Sequence, residues 1–169
     1  MNPPMRLALG SELYWSEDII EALESGKALT INKTRYVLVE FPVYTEYPSI
    51  DKAVRKLTYA GYIPILAHIE RFEGTSKEEN VAALIEAGAY MQINTEAVTG
   101  KAGFFKKMYV LKLIKNGMIH FLGTDAHRVN WRPPKMAEAM SIIEKKCGAD
   151  MVYRLTEENP KKLLKGERI

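Results

Sequence analysis

The chain has 169 residues, of which 47% are hydrophobic, and a formal net charge of +3 at pH 7, which together predict one domain, residues 1–169, with a substantial core. The small, dispersed charge gives no indication of nucleic-acid binding, and no apolar run reaches the roughly 18 residues that a membrane span needs. Because the first residues also lack a signal-peptide pattern, we expect a cytoplasmic protein without membrane insertion.

Apolar segments alternate with helical patterns along the chain. The predicted strands are residues 6–9, 35–41, 62–67, 89–94 and 119–122. The predicted helices are one that starts at Ser16 and stops at Gly26, then residues 49–60, 77–87, 102–116, 135–146 and 157–165. Three of these helices end before a glycine that can adopt a positive φ and lead the chain into a strand. The pattern predicts an α/β fold of parallel βα repeats.

Six polar or ionisable residues lie at or just past the carboxyl ends of the predicted strands. These are Glu12, Glu40, His68, Asn94, Asp125 and His127. Because active sites of βα folds form at the carboxyl ends of the strands, we expect these side chains to converge on one mouth of the sheet. Imidazole and carboxylate groups are suitable ligands for zinc, manganese or iron, so the pattern favours a metallohydrolase site.

Several of these residues also have a purely structural interpretation. His68 is equally compatible with a hydrogen-bonded core histidine, and Asp125 with a turn aspartate. Glu40 is either an acid supporting the site or a surface charge at a strand end. For His120, which alternates with Phe121 inside a strand, packing is the favoured role. It is the convergence of several residues that supports a functional site.

A thiol-based mechanism is disfavoured. The single cysteine, Cys147, excludes an intramolecular disulfide. The next arginine, Arg154, lies one residue too far along the chain for the Cys-x5-Arg loop of cysteine-dependent tyrosine phosphatases. We therefore interpret Cys147 as a structural or surface thiol.

Four segments, residues 10–12, 30–42, 61–71 and 124–132, carry a family resemblance. In order and spacing they resemble the bacterial capsular-polysaccharide protein-tyrosine phosphatases of the PHP (polymerase and histidinol phosphatase) superfamily. The similarity runs from about Leu9 to the C-terminus. It implies a distorted TIM-like barrel with a cluster of divalent metals, usually manganese or iron, at its C-terminal mouth. It also implies dephosphorylation of tyrosine on the bacterial kinase that controls exopolysaccharide export.

The resemblance assigns roles to individual residues. Glu12, His68, Asp125 and His127 match metal ligands of the family. Arg71 and Arg132 match arginines that bind phosphate and neutralise charge, in keeping with the anionic substrate that Arg128 and Arg132 suggest. One departure is mild: Ile69 replaces the proline of the family's Ala-His-Pro-Glu-Arg motif.

A second departure is more severe. The family's opening strand, with a His-x-His pair and an aspartate, would precede Leu9, where this chain has eight residues. We therefore expect a barrel incomplete at its N-terminus, a metal cluster with roughly half its ligands and a weak enzyme. An open sheet edge favours a homo-oligomer or a second chain that completes the barrel. The alternatives are a small-molecule phosphatase of the same superfamily and a non-catalytic scaffold or interaction fragment.

Overall fold

The computed structural model of the protein describes residues 7–128 and 134–169. The strands are β1 (Glu12–Tyr14), β2 (Tyr36–Glu40), β3 (Ile63–Leu66), β4 (Tyr90–Asn94) and β5 (Phe121–Gly123). The helices are α1 (Ile19–Glu24), α2 (Tyr47–Tyr59), α3 (Glu78–Glu86), α4 (Thr95–Thr99), α5 (Phe104–Lys115), α6 (Ala137–Cys147), α7 (Ala149–Tyr153) and α8 (Asn159–Lys165). Short 3-10 turns cover Ile31–Lys33, Ile69–Arg71 and Glu73–Thr75, and a π-helical turn, Arg154–Glu158, joins α7 to α8.

The five strands form one parallel sheet in the order β1-β2-β3-β4-β5, so every strand pairs with its successor in the chain. Helices connect the strands, which makes all carboxyl ends meet at the same edge. This is the sequential winding of a TIM-like barrel, as the sequence predicts. Within the described residues β1 and β5 do not pair with each other, so the sheet is open.

The two faces of the sheet differ because side chains alternate along each strand. On the helix-covered face Val37, Val39, Leu66, Met91 and Ile93 are completely buried in the larger hydrophobic core. The opposite face, here called the inner face, carries a second and smaller core cluster. It consists of Tyr36, Ile63, Ile65 and Phe121 with Leu163 of α8.

The C-terminal residues cover the amino end of the inner face. The Tyr36 hydroxyl donates a hydrogen bond to the Glu167 carbonyl oxygen (2.7 Å). The Tyr90 hydroxyl donates to the Ile169 carbonyl (3.0 Å) and accepts from the Ile169 N–H (3.1 Å). These contacts fill the amino end of the inner face, whereas Gln92 and Asn94 of β4 lie toward its carboxyl end.

The prediction of a strand at residues 6–9 is wrong for residues 7–9, the part of it that the structure describes. Leu7 and Leu9 are 82% and 74% exposed and lie outside the sheet, and Arg6 is not among the described residues. The main chain here pairs with a loop instead: Asn32 N–H donates to the Leu9 carbonyl (2.7 Å) and Ser11 N–H to the Leu29 carbonyl (3.0 Å). The sheet begins only at β1, where Leu13 packs against the larger core.

The other predicted elements are found with shifted ends. The last strand starts two residues later than predicted, since Phe121 is the first residue paired with β4. The three glycines predicted to follow helices with a positive φ do so, with values of 87° at Gly61, 102° at Gly88 and 71° at Gly117. The helices α4 and α7 were not predicted, because each has only five residues. None of the helices in the described part of the chain has the length and apolar character that a bilayer crossing requires.

Candidate metal centre

Polar side chains gather where the strands of the inner face end. Glu12 pairs in register with Leu38, and Tyr14 with Glu40, so both glutamates lie on the same side of the sheet. His68 follows β3, Asn94 ends β4 and Asp125 follows β5. A cavity of about 180 Å³ opens here, lined by Glu12, Leu38, His68, Gln92, Asn94, Gly123 and Asp125.

Three side chains at this cavity form a cluster that can hold a metal ion. The His68 Nε2 lies 3.1 Å from Glu12 Oε1 and 3.3 Å from Glu40 Oε1, and one ligand atom from each residue lies within 4.8 Å of the others. A neutral imidazole has one N–H at most, so Nε2 can satisfy only one of the two carboxylates. A divalent cation would satisfy all three groups at once, and this donor set therefore fits one.

The His68 side chain is only 4% exposed, whereas the side chains of Glu12 and Glu40 are 40% and 35% exposed. The cluster thus has a buried nitrogen and two oxygens that reach the solvent side. The other ring nitrogen of His68, Nδ1, is buried and has no hydrogen-bond partner among the described residues. Sequence reasoning left Glu40 undecided; its position as the last residue of β2, two after Leu38, is the signal that places it on the inner face.

Two of the four described non-glycine residues with a positive φ are residues expected to bind metal, and the other two are Asn32 and Lys33. His68 has a φ of 35° and Asp125 a φ of 49°, and both are left-handed values that non-glycine residues rarely adopt. Such residues cost on the order of 1 kcal/mol each and cluster at functional sites. The turn that follows His68 returns Arg71 toward the cavity, with Arg71 N–H donating to the His68 carbonyl (3.0 Å).

Asp125 and Arg71 form an ion pair at the edge of the cavity. The Arg71 Nη2 donates to Asp125 Oδ2 at 2.6 Å, and the Asn94 Nδ2 donates to the same oxygen at 3.2 Å. The Asp125 side chain is 10% exposed and that of Arg71 is 27% exposed. A guanidinium has five N–H donors, so Arg71 retains donors for an anion at the mouth of the cavity.

The remaining predicted site residues lie farther from the cavity or beyond the described chain. His127 is not one of the cavity-lining residues; its side chain is 48% exposed, and its Nδ1 lies 2.7 Å from the Asp125 carbonyl oxygen. Arg128 is exposed. Arg132 falls outside the described residues. The structure therefore brings Glu12, His68 and Asp125 to one cavity and leaves His127 at its border.

Glu70 lies behind the cavity and was not predicted as a site residue. Its Oε1 accepts a hydrogen bond from the Asn94 N–H (3.3 Å), and its buried Oε2 has no partner among the described residues. Burial raises the pKa of the Glu70 carboxyl, against the opposing effects of main-chain hydrogen bonds and of the nearby His68 and Arg71. Its place between His68 and Arg71 in the sequence was the available signal.

His120 packs in the core, as predicted. Its Nδ1 accepts a hydrogen bond from the Met91 N–H (3.1 Å), and its ring contacts the edge of Tyr90 at 4.8 Å between centroids. Burial, with a smaller contribution from the charge of Arg154, lowers the pKa of His120 to about 4. Cys147 is half-buried, and burial raises the pKa of its thiol, which suits a structural role better than that of a nucleophile.

Comparison with known proteins agrees with this geometry. The family described as "Capsular polysaccharide synthesis, CpsB/CapC" matches residues 1–165. The tyrosine-protein phosphatase CpsB of Streptococcus pneumoniae is 34% identical over 169 residues, a match that covers 96% of this chain and 70% of CpsB. The tyrosine-protein phosphatase YwqE of Bacillus subtilis (strain 168) is 32% identical over 167 residues, covering 98% of this chain and 65% of YwqE.

A solved structure extends the similarity to three dimensions. It comes from the crystallographic work on YwqE from Bacillus subtilis and CpsB from Streptococcus pneumoniae, described as unique metal-dependent tyrosine phosphatases. The match has a TM-score of 0.86 and 32% identity, and it covers 95% of this chain and 65% of that chain. The chain thus spans about two thirds of the length of these relatives. Both the predicted fold and the resemblance are confirmed: the chain belongs to the CpsB/CapC family of capsular polysaccharide synthesis.

Proposed function

We propose that this chain is a metal-dependent phosphatase that hydrolyses phosphotyrosine in proteins, as its relatives are named to do. The observation that carries the proposal is the cluster of Glu12, Glu40 and His68 next to the Arg71–Asp125 pair. A cation site and a guanidinium side by side suit a phosphate monoester, which has a dianionic group to bind and a phosphorus atom to activate.

The proposed ligands are Glu12, Glu40, His68 and Asp125, with His127 at the border of the site. Carboxylate and imidazole donors suit manganese, and also iron or zinc, so we take a divalent ion with manganese as the first candidate. When bound, such an ion supplies Lewis-acid activation of water and neutralises phosphoryl oxygens.

The chain's own residues have separate tasks in the reaction. Arg71 binds the phosphoryl dianion with the N–H groups that Asp125 does not use, and Arg132 is proposed to assist it. Glu12 and Glu40 each offer one oxygen to the ion, so the second oxygen of either carboxylate can accept a proton from a water molecule. The oxygen of that water bonds to phosphorus as the P–O bond to the tyrosine oxygen breaks, and the departing phenolate takes a proton from solvent. No cysteine or serine is among the residues that line the described cavity, and the proposed attack by water requires no covalent enzyme intermediate.

The proposed substrate is a phosphotyrosine protein, and the bacterial tyrosine kinase of capsule export is the partner implied by the family, in the cytoplasm. We also propose that another copy of the chain or a second chain completes the sheet. Among the described residues no strand pairs with the outer edge of β1 or of β5, and an open edge favours pairing. The activity of the isolated chain is then low.

Hydrolysis and metal binding should be measured together on the purified chain. Metal-free protein is titrated with Mn²⁺, and turnover of para-nitrophenyl phosphate and of a phosphotyrosine peptide is followed before and after addition of EDTA. We expect Mn²⁺-dependent hydrolysis of both. Hydrolysis of the small ester alone would indicate a small-molecule phosphatase, and the absence of both metal binding and hydrolysis would indicate a non-catalytic protein.

The role of Arg71 is tested by replacing it with alanine and comparing the effect with the same change at an arginine away from the cavity. Arg71→Ala should lower kcat/KM about a hundredfold, the magnitude expected when one donor to a developing anion is lost. Arg55 is the control, because its guanidinium pairs with Asp51 on α2 away from the cavity (2.8 Å). Equal kinetics of Arg71→Ala, Arg55→Ala and the unaltered chain would contradict the assigned role of Arg71.

A further inference from the structure

We propose that Gln92 and Asn94 form an amide bridge that positions His68 and Asp125 relative to each other and thereby sets the metal affinity of the site. The inference rests on the proposed function, because it assigns positioning residues to the same site. Sequence reasoning gave no role to Gln92, and it recognised Asn94 only as a polar residue at a strand end.

The first contact of the bridge is at His68. The Gln92 Oε1 accepts a hydrogen bond of 2.6 Å from the His68 N–H, across the β3–β4 boundary. This N–H belongs to the residue with a φ of 35°, whose left-handed conformation is unfavourable for a side chain with a Cβ. A hydrogen bond to its main chain stabilises that conformation, and with it the direction in which the imidazole leaves the strand.

The second half of the bridge leads to Asp125. The Gln92 Nε2 donates to Asn94 Oδ1 at 3.0 Å, and the Asn94 Nδ2 donates to Asp125 Oδ2 at 3.2 Å. Each amide thus accepts at one end and donates at the other, which gives a directed chain from the His68 main chain to the Asp125 carboxylate. Both His68 and Asp125 have positive φ values, so the bridge joins the two strained residues of the site.

Gly123 provides the space that the bridge needs. A Cβ at position 123 would collide with the Gln92 amide, with the Gln92 Cδ at only 3.1 Å. Gly123 is not one of the described glycines with a positive φ, so its backbone conformation does not require glycine. The close approach of the Gln92 side chain does require it. The Gln92 side chain therefore lies directly over β5.

Groups that orient metal ligands usually change metal affinity about 10- to 100-fold when they are lost. Two neutral amides suit this task here, because they add hydrogen bonds without adding to the charge of Glu12, Glu40 and Asp125. Gln92 and Asn94 line the cavity together with Glu12, His68 and Asp125 but offer no charged ligand of their own.

The test uses Gln92→Met and Asn94→Leu, which keep similar volume and remove the amides, together with the double variant. Asn159→Leu is the control, because the Asn159 amide is also buried (2% exposed) and donates to the His120 carbonyl (2.8 Å) away from the cavity. Gln92→Glu retains the acceptor for the His68 N–H. For each protein, Mn²⁺ affinity is measured by calorimetry, unfolding by urea, and hydrogen exchange of the His68 amide in the metal-free state by NMR.

We expect each bridge variant to bind Mn²⁺ about 10- to 100-fold more weakly, the double variant to lose little more than a single one, and the control to keep its affinity despite lower stability. The His68 amide should lose protection in Gln92→Met and keep it in Gln92→Glu. Unchanged affinity and protection in Gln92→Met would overturn the bridge while leaving the proposed function intact. An unaltered chain that binds no Mn²⁺ would overturn the proposed function and the metal-positioning role with it.

Discussion

His68 and His120 are both buried, yet they lie at opposite ends of the parallel strands and have opposite surroundings. His120 precedes β5 and is enclosed by Tyr90, Met91 and the C-terminal helix. His68 follows β3 and faces two carboxylates and a cavity. The comparison shows that the end of the strand at which a histidine lies, rather than its burial, decides whether it lines the cavity.

At the amino end of the sheet, His120 should make the unfolding free energy depend on pH. The folded pKa of His120 is lowered from 6.5 to about 4, so the unfolded chain binds a proton in a range where the folded chain does not. The unfolding free energy should therefore be intact above pH 6.5 and fall as the pH drops toward 4, by up to about 3 kcal/mol.

Urea unfolding between pH 7 and 4 measures this loss. His120→Asn is the comparison, since its side-chain oxygen can still accept the Met91 N–H but does not titrate in this range. If the unfolding free energy of His120→Asn fell with pH as steeply as that of the unaltered chain, other groups would be the cause of the pH dependence.

The carboxyl end should respond in function more than in stability. Glu40→Gln retains the shape of the side chain and removes the charge next to His68 Nε2. We expect Mn²⁺ affinity to fall by about a hundredfold, at least as much as when a group that orients a ligand is lost. Because Glu40 is partly exposed, the unfolding free energy of the metal-free protein should change by only about 0.5 kcal/mol.

Calorimetry measures the Mn²⁺ affinity of Glu40→Gln, and urea unfolding measures its unfolding free energy. Glu46→Gln, which changes a glutamate at the start of α2, serves as the control for the loss of a negative charge. Equal Mn²⁺ affinity in the two variants would remove Glu40 from the proposed ligand set.

The smallest effect is expected for the hydroxyl of Tyr90. Tyr90→Phe removes a group that bonds both the N–H and the carbonyl of Ile169, at a cost of about 1 kcal/mol. Turnover and Mn²⁺ affinity should not change, because Tyr90 begins β4 and the site lies at its other end. A variant with native stability but reduced metal affinity would show that the two ends of the sheet are coupled.

The sequence predicts β2, β3 and β4 closely because each is an apolar run that follows a turn and is buried on both faces. It fails at residues 6–9, since an apolar segment becomes a strand only where a neighbouring strand pairs with its main chain. Here the loop at residues 29–32 contacts the segment instead, with the Asn32 N–H donating to the Leu9 carbonyl. That competition depends on the tertiary structure and leaves no local pattern.

For the candidate site, the sequence predicts where His68 and Asp125 lie, because a polar residue after an apolar strand has a known location in βα folds. Glu40 could be placed at the site only after the faces of β2 were known. Leu38 and Glu40 share the inner face because Val39, between them, faces the helices. Gln92 gave no signal at all: one polar residue within a strand is typical of a solvent-facing position, and its contacts with His68 and Asn94 follow from the packing of separate strands.

The order of strands in the sheet also has a consequence for how the chain folds. Since every strand pairs with the next one in sequence, each pairing closes a loop of only one βα unit, and the entropy cost of that closure stays small. The β2–β3 pair shares four registered positions, more than any other pair in the described sheet, and α2 between them is the longest described helix. Folding is therefore expected to begin at β2–α2–β3 and to extend strand by strand in both directions.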